Sequence, residues 1–200
     1  MILLTQKTLT KTYKKKPPWY NTPEVIFLNY GIYKTARNAS WQCLIDCDIH
    51  SLPVRPVEIA KHYNIKCKKM QSNKLGCSAK IKTIFGKTYI LYNADDTRER
   101  QRYSIMHELG HYLLGHHNYN EDDEYQAERF AIDILAPACV LWGLNLHTAQ
   151  EISDVCNISI TSAQRRAERM EVLYQRNMFL SHPLERAVFN QFRDFMNQNK

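Results

Sequence analysis

No stretch of this 200-residue chain approaches the ~20 consecutive apolar residues that a membrane-spanning helix needs. The opening Met1-Ile2-Leu3-Leu4 gives way at once to polar Thr5-Gln6-Lys7, too brief for the apolar region of a secretory signal. A soluble, cytoplasmic protein with no membrane partner is the expectation. Internal repeats and low-complexity tracts are also missing, so solenoids and disordered linkers are not expected. Cysteine is present but not in a framework: the six cysteines, at 43, 47, 67, 77, 139 and 156, read as thiols in a reducing compartment. Cys43, Cys47 and His50 have a loosely metal-like spacing, yet no second pair of ligands completes a structural zinc set. They read as one face of a helix.

What is present is ordinary for a globular chain: 44% hydrophobic and 24% charged residues, with a net charge of +7. An anionic partner would suit that charge, although charge alone does not identify a site. Residues 1–23 read as an irregular basic lead-in, with Lys14-Lys15-Lys16 before Pro17-Pro18. Residues 24–50 carry apolar positions at helical spacing, and Val57 to Tyr63 reads as a short helix. The period then changes to that of strands, over Ile65 to Met70, Ser78 to Phe85 and Lys87 to Tyr92, with Gly86-Lys87 as a tight turn. Helices are predicted from Thr97 to about Gly115 and from about Asp122 to Leu135, closed by Pro137. Two or three more fill the C-terminal third. The order is helices, a small meander, then helices, an α+β arrangement.

The chemistry lies in His107-Glu108-Leu109-Gly110-His111. Residues four apart on a helix share a face, so both imidazoles can point at one ion. Glu108 is turned from His107 by roughly 100°, which suits it to reach a water at the ion rather than the ion itself. Zn²⁺ with three protein ligands keeps an open position, and a carboxylate beside it can act as general base. His107 and His111 are therefore candidate ligands and Glu108 the candidate catalytic base.

A third ligand is open between three residues. His117 stands where a third histidine follows in HExxHxxGxxH proteins, but that pattern needs glycine at 114 and this chain has Leu114 and Gly115. Glu124 and Glu128 lie near the buried stripe of the next helix, Ala127, Ala131, Ile134 and Leu135. Buried carboxylates are costly unless paired or on a metal. Small Ala127 and Ala131 would let this helix approach the HELGH helix closely.

Three groups of residues together resemble the ImmA/IrrE family of metallopeptidases: Tyr103 to His116 around HELGH, Glu124 to Ala131, and Ile134 to Pro137. Leu52 to Ala60 and the strand Thr88 to Tyr92 with Asn93 are similar to family segments as well, so the likeness covers about residues 50–175. The family pattern after HExxH is close to ExEANxFAxxLLxP; this chain departs from it with Gln126 for the second glutamate and Glu128 for the asparagine. The resemblance implies Glu124 as third ligand, with Glu128 still open as a rival or as a neighbouring charge. It implies a zincin-like fold: a small antiparallel sheet against the HExxH helix and a helical C-terminal part. Residues 24–145 would form the peptidase core and 146–200 an extension. It further implies a Zn²⁺ endopeptidase of phage or mobile-element type that acts on a DNA-binding repressor or a related regulator.

Two other readings carry different expectations. A zinc-stabilised regulator could bind a repressor without cutting it. A DNA-binding regulator is suggested by residues 149–171, which resemble a helix-turn-helix: Asn157 is suited to a left-handed cap, Ser159 to an N-cap, and Arg165, Arg166 and Arg169 follow. The same segment could instead be a helical cap packed on the peptidase. His116, Tyr92, Tyr125 and Arg129 are candidates for stabilising an oxyanion, and the strand Thr88 to Tyr92 for pairing with an extended substrate.

Overall fold

The computed structural model describes residues 23–117, 120–177 and 179–199, with side chains from Gly31 onward. The basic lead-in expected over 1–23 lies almost wholly outside the described residues. Helix α1 spans Pro23–Asp46 and runs unbroken through Gly31. A short α2, Pro56–His62, starts on a proline whose missing N–H costs nothing at the first helical position. Strand β1 (Lys66–Met70), the single turn α3 (Ser72–Leu75) and strands β2 (Ala79–Ile84) and β3 (Lys87–Asn93) follow.

The sheet is mixed, not antiparallel. Its order is β1-β3-β2, with β3 parallel to β1 and antiparallel to β2. The hairpin is local and was visible in the sequence. The β1–β3 pairing depends on α3 carrying the chain across the sheet, so that β2 comes back on the far side of β3, and α3 has no periodic signature at four residues. The hairpin turn is also displaced by one residue: Phe85 and Gly86 form it, at φ 50° and 71°. Two positive φ values match the right-handed twist of the flanking strands.

Helix α4, Arg98–Leu113, carries the HELGH run; the Thr97 side chain caps it by accepting from the Arg100 N–H. Helix α5, Glu121–Leu135, begins with a reciprocal cap between Asn120 and Asp123. The two helices lie against each other, and α1 packs on α5. Gly110 sets the α4–α5 approach. A methyl group there would sit 3.0 Å from a Phe130 ring carbon and 3.2 Å from the Ala127 Cα. Ala127 and Ala131 are fully buried at this contact, as the small-residue stripe predicts. Ile105, Met106 and Leu109 on α4 join Phe130, Ile134 and Leu135 on α5 in one apolar core; each such side chain contributes roughly 1.5–3 kcal/mol.

The C-terminal third holds five described helices rather than two or three: α6 (Ala138–Gly143), α7 (Ala149–Cys156), α8 (Ile160–Arg176), α9 (Pro183–Gln191) and α10 (Arg193–Gln198). Helix α5 ends at Leu135, ahead of Pro137 as expected, and Pro137 is then the N-cap of α6. The α7–α8 joint forms as read, with Asn157 left-handed at φ 51° and Ser159 accepting from the Ser162 N–H. Helix α9 is tied back to α1 by Gln191, whose amide donates to the Leu44 and Ile49 carbonyls at 2.8 and 2.7 Å.

Candidate metal centre

Helix α4 presents His107 and His111 on one face, and the close α4–α5 approach brings Glu124 onto them. His107 Nε2 and His111 Nε2 are 3.1 Å apart. Glu124 Oε2 is 3.5 Å from the first, and Oε1 is 3.3 Å from the second. Four ligands around zinc at about 2.0–2.1 Å stand about 3.3 Å from one another in a tetrahedron, so all three separations are close to tetrahedral edges. Electrostatics agrees. Burial, then the neighbouring His107, pushes the His111 imidazolium pKa down to about 4, so His111 is neutral at pH 7. A neutral imidazole with its proton on Nδ1 turns the Nε2 lone pair toward the Glu124 carboxylate, a donor set that suits a cation. The three residues form the one His/Cys/Asp/Glu cluster with metal-binding geometry among the described residues.

The other two candidates for third ligand fall outside this cluster. Gly115 adopts φ 69° and turns the chain so that the His116 N–H returns to the His111 carbonyl at 3.0 Å. His116 thus folds back beside the metal helix, and His117 is left exposed. Glu128, one turn beyond Glu124 on α5, lines the adjoining cleft. Cys43, Cys47 and His50 form no metal cluster either; the His50 ring pairs with the Gln191 carbonyl and with Asp48.

His116 stands behind the candidate ligand His111. Their Nδ1 atoms are 3.0 Å apart. With Nε2 as the ligand atom, His111 carries its proton on Nδ1 and donates it to His116. The far nitrogen of His116 faces Asp123 Oδ1 at 3.7 Å, and Asp123 is itself fixed by the α5 cap. Such partners orient a ligating histidine and fix its tautomer. Sequence reasoning placed His116 among oxyanion candidates and missed this role, although the cap-forming Asn120-x-x-Asp123 was there to be read.

Glu108 points to the sheet. Its Oε2 accepts the Ile81 N–H at 2.9 Å, from the edge of β2 that faces away from β3. Burial raises the Glu108 carboxyl above its ordinary value, while His107 and the Ile81 N–H pull it back and Glu124 pushes it up. The strand β3, expected to pair with an extended substrate, is bonded on both sides and has no free edge. Beside Glu108, the free edge belongs to β2.

A cleft of about 760 Å³ opens over these residues. Ser78 and Ala79 lie on one wall; Ser159, Thr161 and Arg165 from the start of α8 lie on another. The arginine-bearing face of α8 therefore turns toward the peptidase. Arg166 is 2% exposed, and its Nη2 donates to Asp133 Oδ1 at 2.6 Å and to the Ile132 carbonyl at 2.9 Å. Arg129 takes the other Asp133 oxygen at 2.8 Å. Arg129 and Arg169 both donate to the Tyr33 hydroxyl. Of the oxyanion candidates, Arg129 is thus committed to Asp133, His116 to His111, and Tyr92 packs against the core under the sheet. Tyr125 remains at the cleft.

The family model described as IrrE N-terminal-like domain (Peptidase_M78) matches residues 58–175, more than half of the chain. The chain belongs to this family. Membership covers the sheet, the ligand helices and α8, and together with the His/His/Glu cluster it makes the chain a metallopeptidase-type enzyme. No curated relative matches the chain significantly. No described helix is long and apolar enough to cross a membrane.

Proposed function

We propose that the chain is a zinc-dependent endopeptidase that cuts a DNA-binding repressor or a related regulatory protein, with Glu108 as general base. The observation that carries this reading is the set of near-tetrahedral separations among His107, His111 and Glu124, next to a carboxylate held by a backbone N–H at the mouth of an open cleft. Zinc, when bound there, polarises a peptide carbonyl and acidifies a coordinated water. Glu108 takes up the water's proton and passes it to the leaving amine. Its burial-raised basicity favours the first transfer, and the Ile81 N–H keeps one carboxylate oxygen in place. An extended segment of the substrate has the outer edge of β2 to lie along, where Glu108 already takes the Ile81 N–H, with the cleft wall of α8 opposite.

The choice of a repressor as substrate rests on family membership. The test is incubation of the zinc-loaded chain with a candidate DNA-binding repressor. Wild type should cleave; Glu108→Gln should retain zinc and lose about 10²- to 10⁴-fold in rate. Equal cleavage by Glu108→Gln would remove the base assignment. An intact repressor held in a stable complex by wild type would favour sequestration. The third reading, a helix-turn-helix inserted in DNA, is disfavoured by Arg166 being buried against Asp133.

A further inference from the structure

The sheet has two unlike faces. Cys67, Ile81, Ile90 and Tyr92 pack against the core, so the alternate residues of each strand point the other way, to the side opposite α4. There the pairing register puts Lys66 and Lys82 on either side of Tyr89, and Lys68 and Lys80 on either side of Leu91. Lys87 precedes them on the central strand. The Lys68 ammonium lies 4.9 Å from the centre of the Tyr89 ring. Residues 59–94 contain eight lysines, no arginine and no aspartate or glutamate. Among the described residues no ion pair reaches the lysines of this face.

Lysines on edge strands discourage sheet-to-sheet aggregation. That explains charge on β1 and β2 but not Lys87 on the central strand, nor five charges of one sign on a lattice about 5–7 Å in pitch. Crowded like charges repel one another, and a polyanion relieves that cost. We propose that this face docks the phosphate backbone of a nucleic acid, without reading its sequence. Lysine supplies point charges that suit phosphates in any register, and the bidentate guanidinium contacts that read guanine are missing. Tyr89 and Leu91 are recessed between the lysines, half-buried, and the exposed apolar side chains near them, Ile84 opposite Lys87 and Phe85 in the turn, are confined to the hairpin end, so most of the face offers charge rather than the apolar surface that a bilayer takes up. The cleft opens past Ala79 on the opposite side of β2, so a docked chain keeps its metal centre free. The inference does not depend on peptidase activity.

The test is fluorescence anisotropy of the full zinc-loaded chain with labelled DNA of about 30 bases, duplex and single-stranded, against salt. Binding at low salt with a log–log slope on the order of −3 to −5 is expected. The triple variant Lys66→Gln/Lys68→Gln/Lys87→Gln should lower that slope by about one per lysine and weaken binding about tenfold or more at low salt. The corresponding triple arginine variant should bind as wild type does. Unchanged thermal melting keeps the comparison clean, since all three side chains are exposed. If the glutamine variant binds DNA with the wild-type slope, the charge lies elsewhere and the proposal fails. It fails equally if polyglutamate, or vesicles of phosphatidylserine and phosphatidylcholine, compete as well as DNA does.

Discussion

Two carboxylates on α5 have opposite fates. Glu124 and Asp133 are nine residues apart, about two and a half turns, and so face opposite sides of the helix. Asp133 meets Arg129 and Arg166 and is 4% exposed. Its charge is already compensated, and the cluster joins α5 to α8 and, through Tyr33, to α1. Glu124 meets imidazole nitrogens that carry lone pairs. One carboxylate is a finished structural ion pair; the other faces two imidazoles in an arrangement that could hold a metal ion. Burial goes with the difference, the Asp133 side chain being 6% exposed and the Glu124 side chain 39%, but does not explain it. The charge of the partner does.

That comparison can be broken from either side. Glu124→Ala should have the largest effect, loss of tight zinc binding and of cleavage, read by metal analysis after dialysis. In chelator its thermal stability should match that of wild type within about 1 kcal/mol, because the missing group served the ion. Asp133→Ala should do the reverse. It leaves Arg166 buried without a counter-charge, a loss of about 3–5 kcal/mol that persists in chelator, while zinc still binds below the melting temperature. Burial alone would raise the Asp133 carboxyl; Arg129 and Arg166 outweigh it and hold the group below its ordinary value. The folded pKa is thus the depressed one. The stabilisation is complete above about pH 3.9 and is lost as pH falls through the folded value. The gap between wild type and Asp133→Asn in denaturant melts should narrow in that acid range.

Two smaller effects would sharpen the contrast. His116→Ala removes the acceptor behind His111 and should weaken zinc binding about 10- to 100-fold, measured by competition with a chromophoric chelator; an unchanged affinity would show that His111 needs no orienting partner. Gly110→Ala puts a methyl against Phe130 and the Ala127 backbone. A cost of about 1–3 kcal/mol is expected, together with weaker zinc binding as Glu124 is pushed away. Loss of stability with unchanged affinity would uncouple the helix spacing from the ligand geometry.

Much of this was legible in the chain. The helices bearing HELGH and Glu124 were bounded correctly because Thr97, Asn120 and Gly115 act locally, through caps and a left-handed turn. The hairpin followed from alternation. The third ligand came from resemblance, not from spacing, since Glu124 and Glu128 are equivalent on a helical wheel until α4 is placed beside them. Asp133 is one of six acids on α5, and nothing in its local sequence marks it as the one that meets Arg166 of a distant helix.

By itself the sequence determined what depends on neighbours a few residues away: the two histidines on one face, the caps, the small residues at 110, 127 and 131, and a lysine-rich segment free of acids. Only the tertiary structure decided which carboxylate reaches the histidines, that β3 is central and β2 the edge beside Glu108, that α8 turns Arg166 inward, and that five lysines share one face. Those outcomes depend on how helices and strands distant in the chain are brought side by side, and a periodic pattern fixes an element's faces without naming what each will meet.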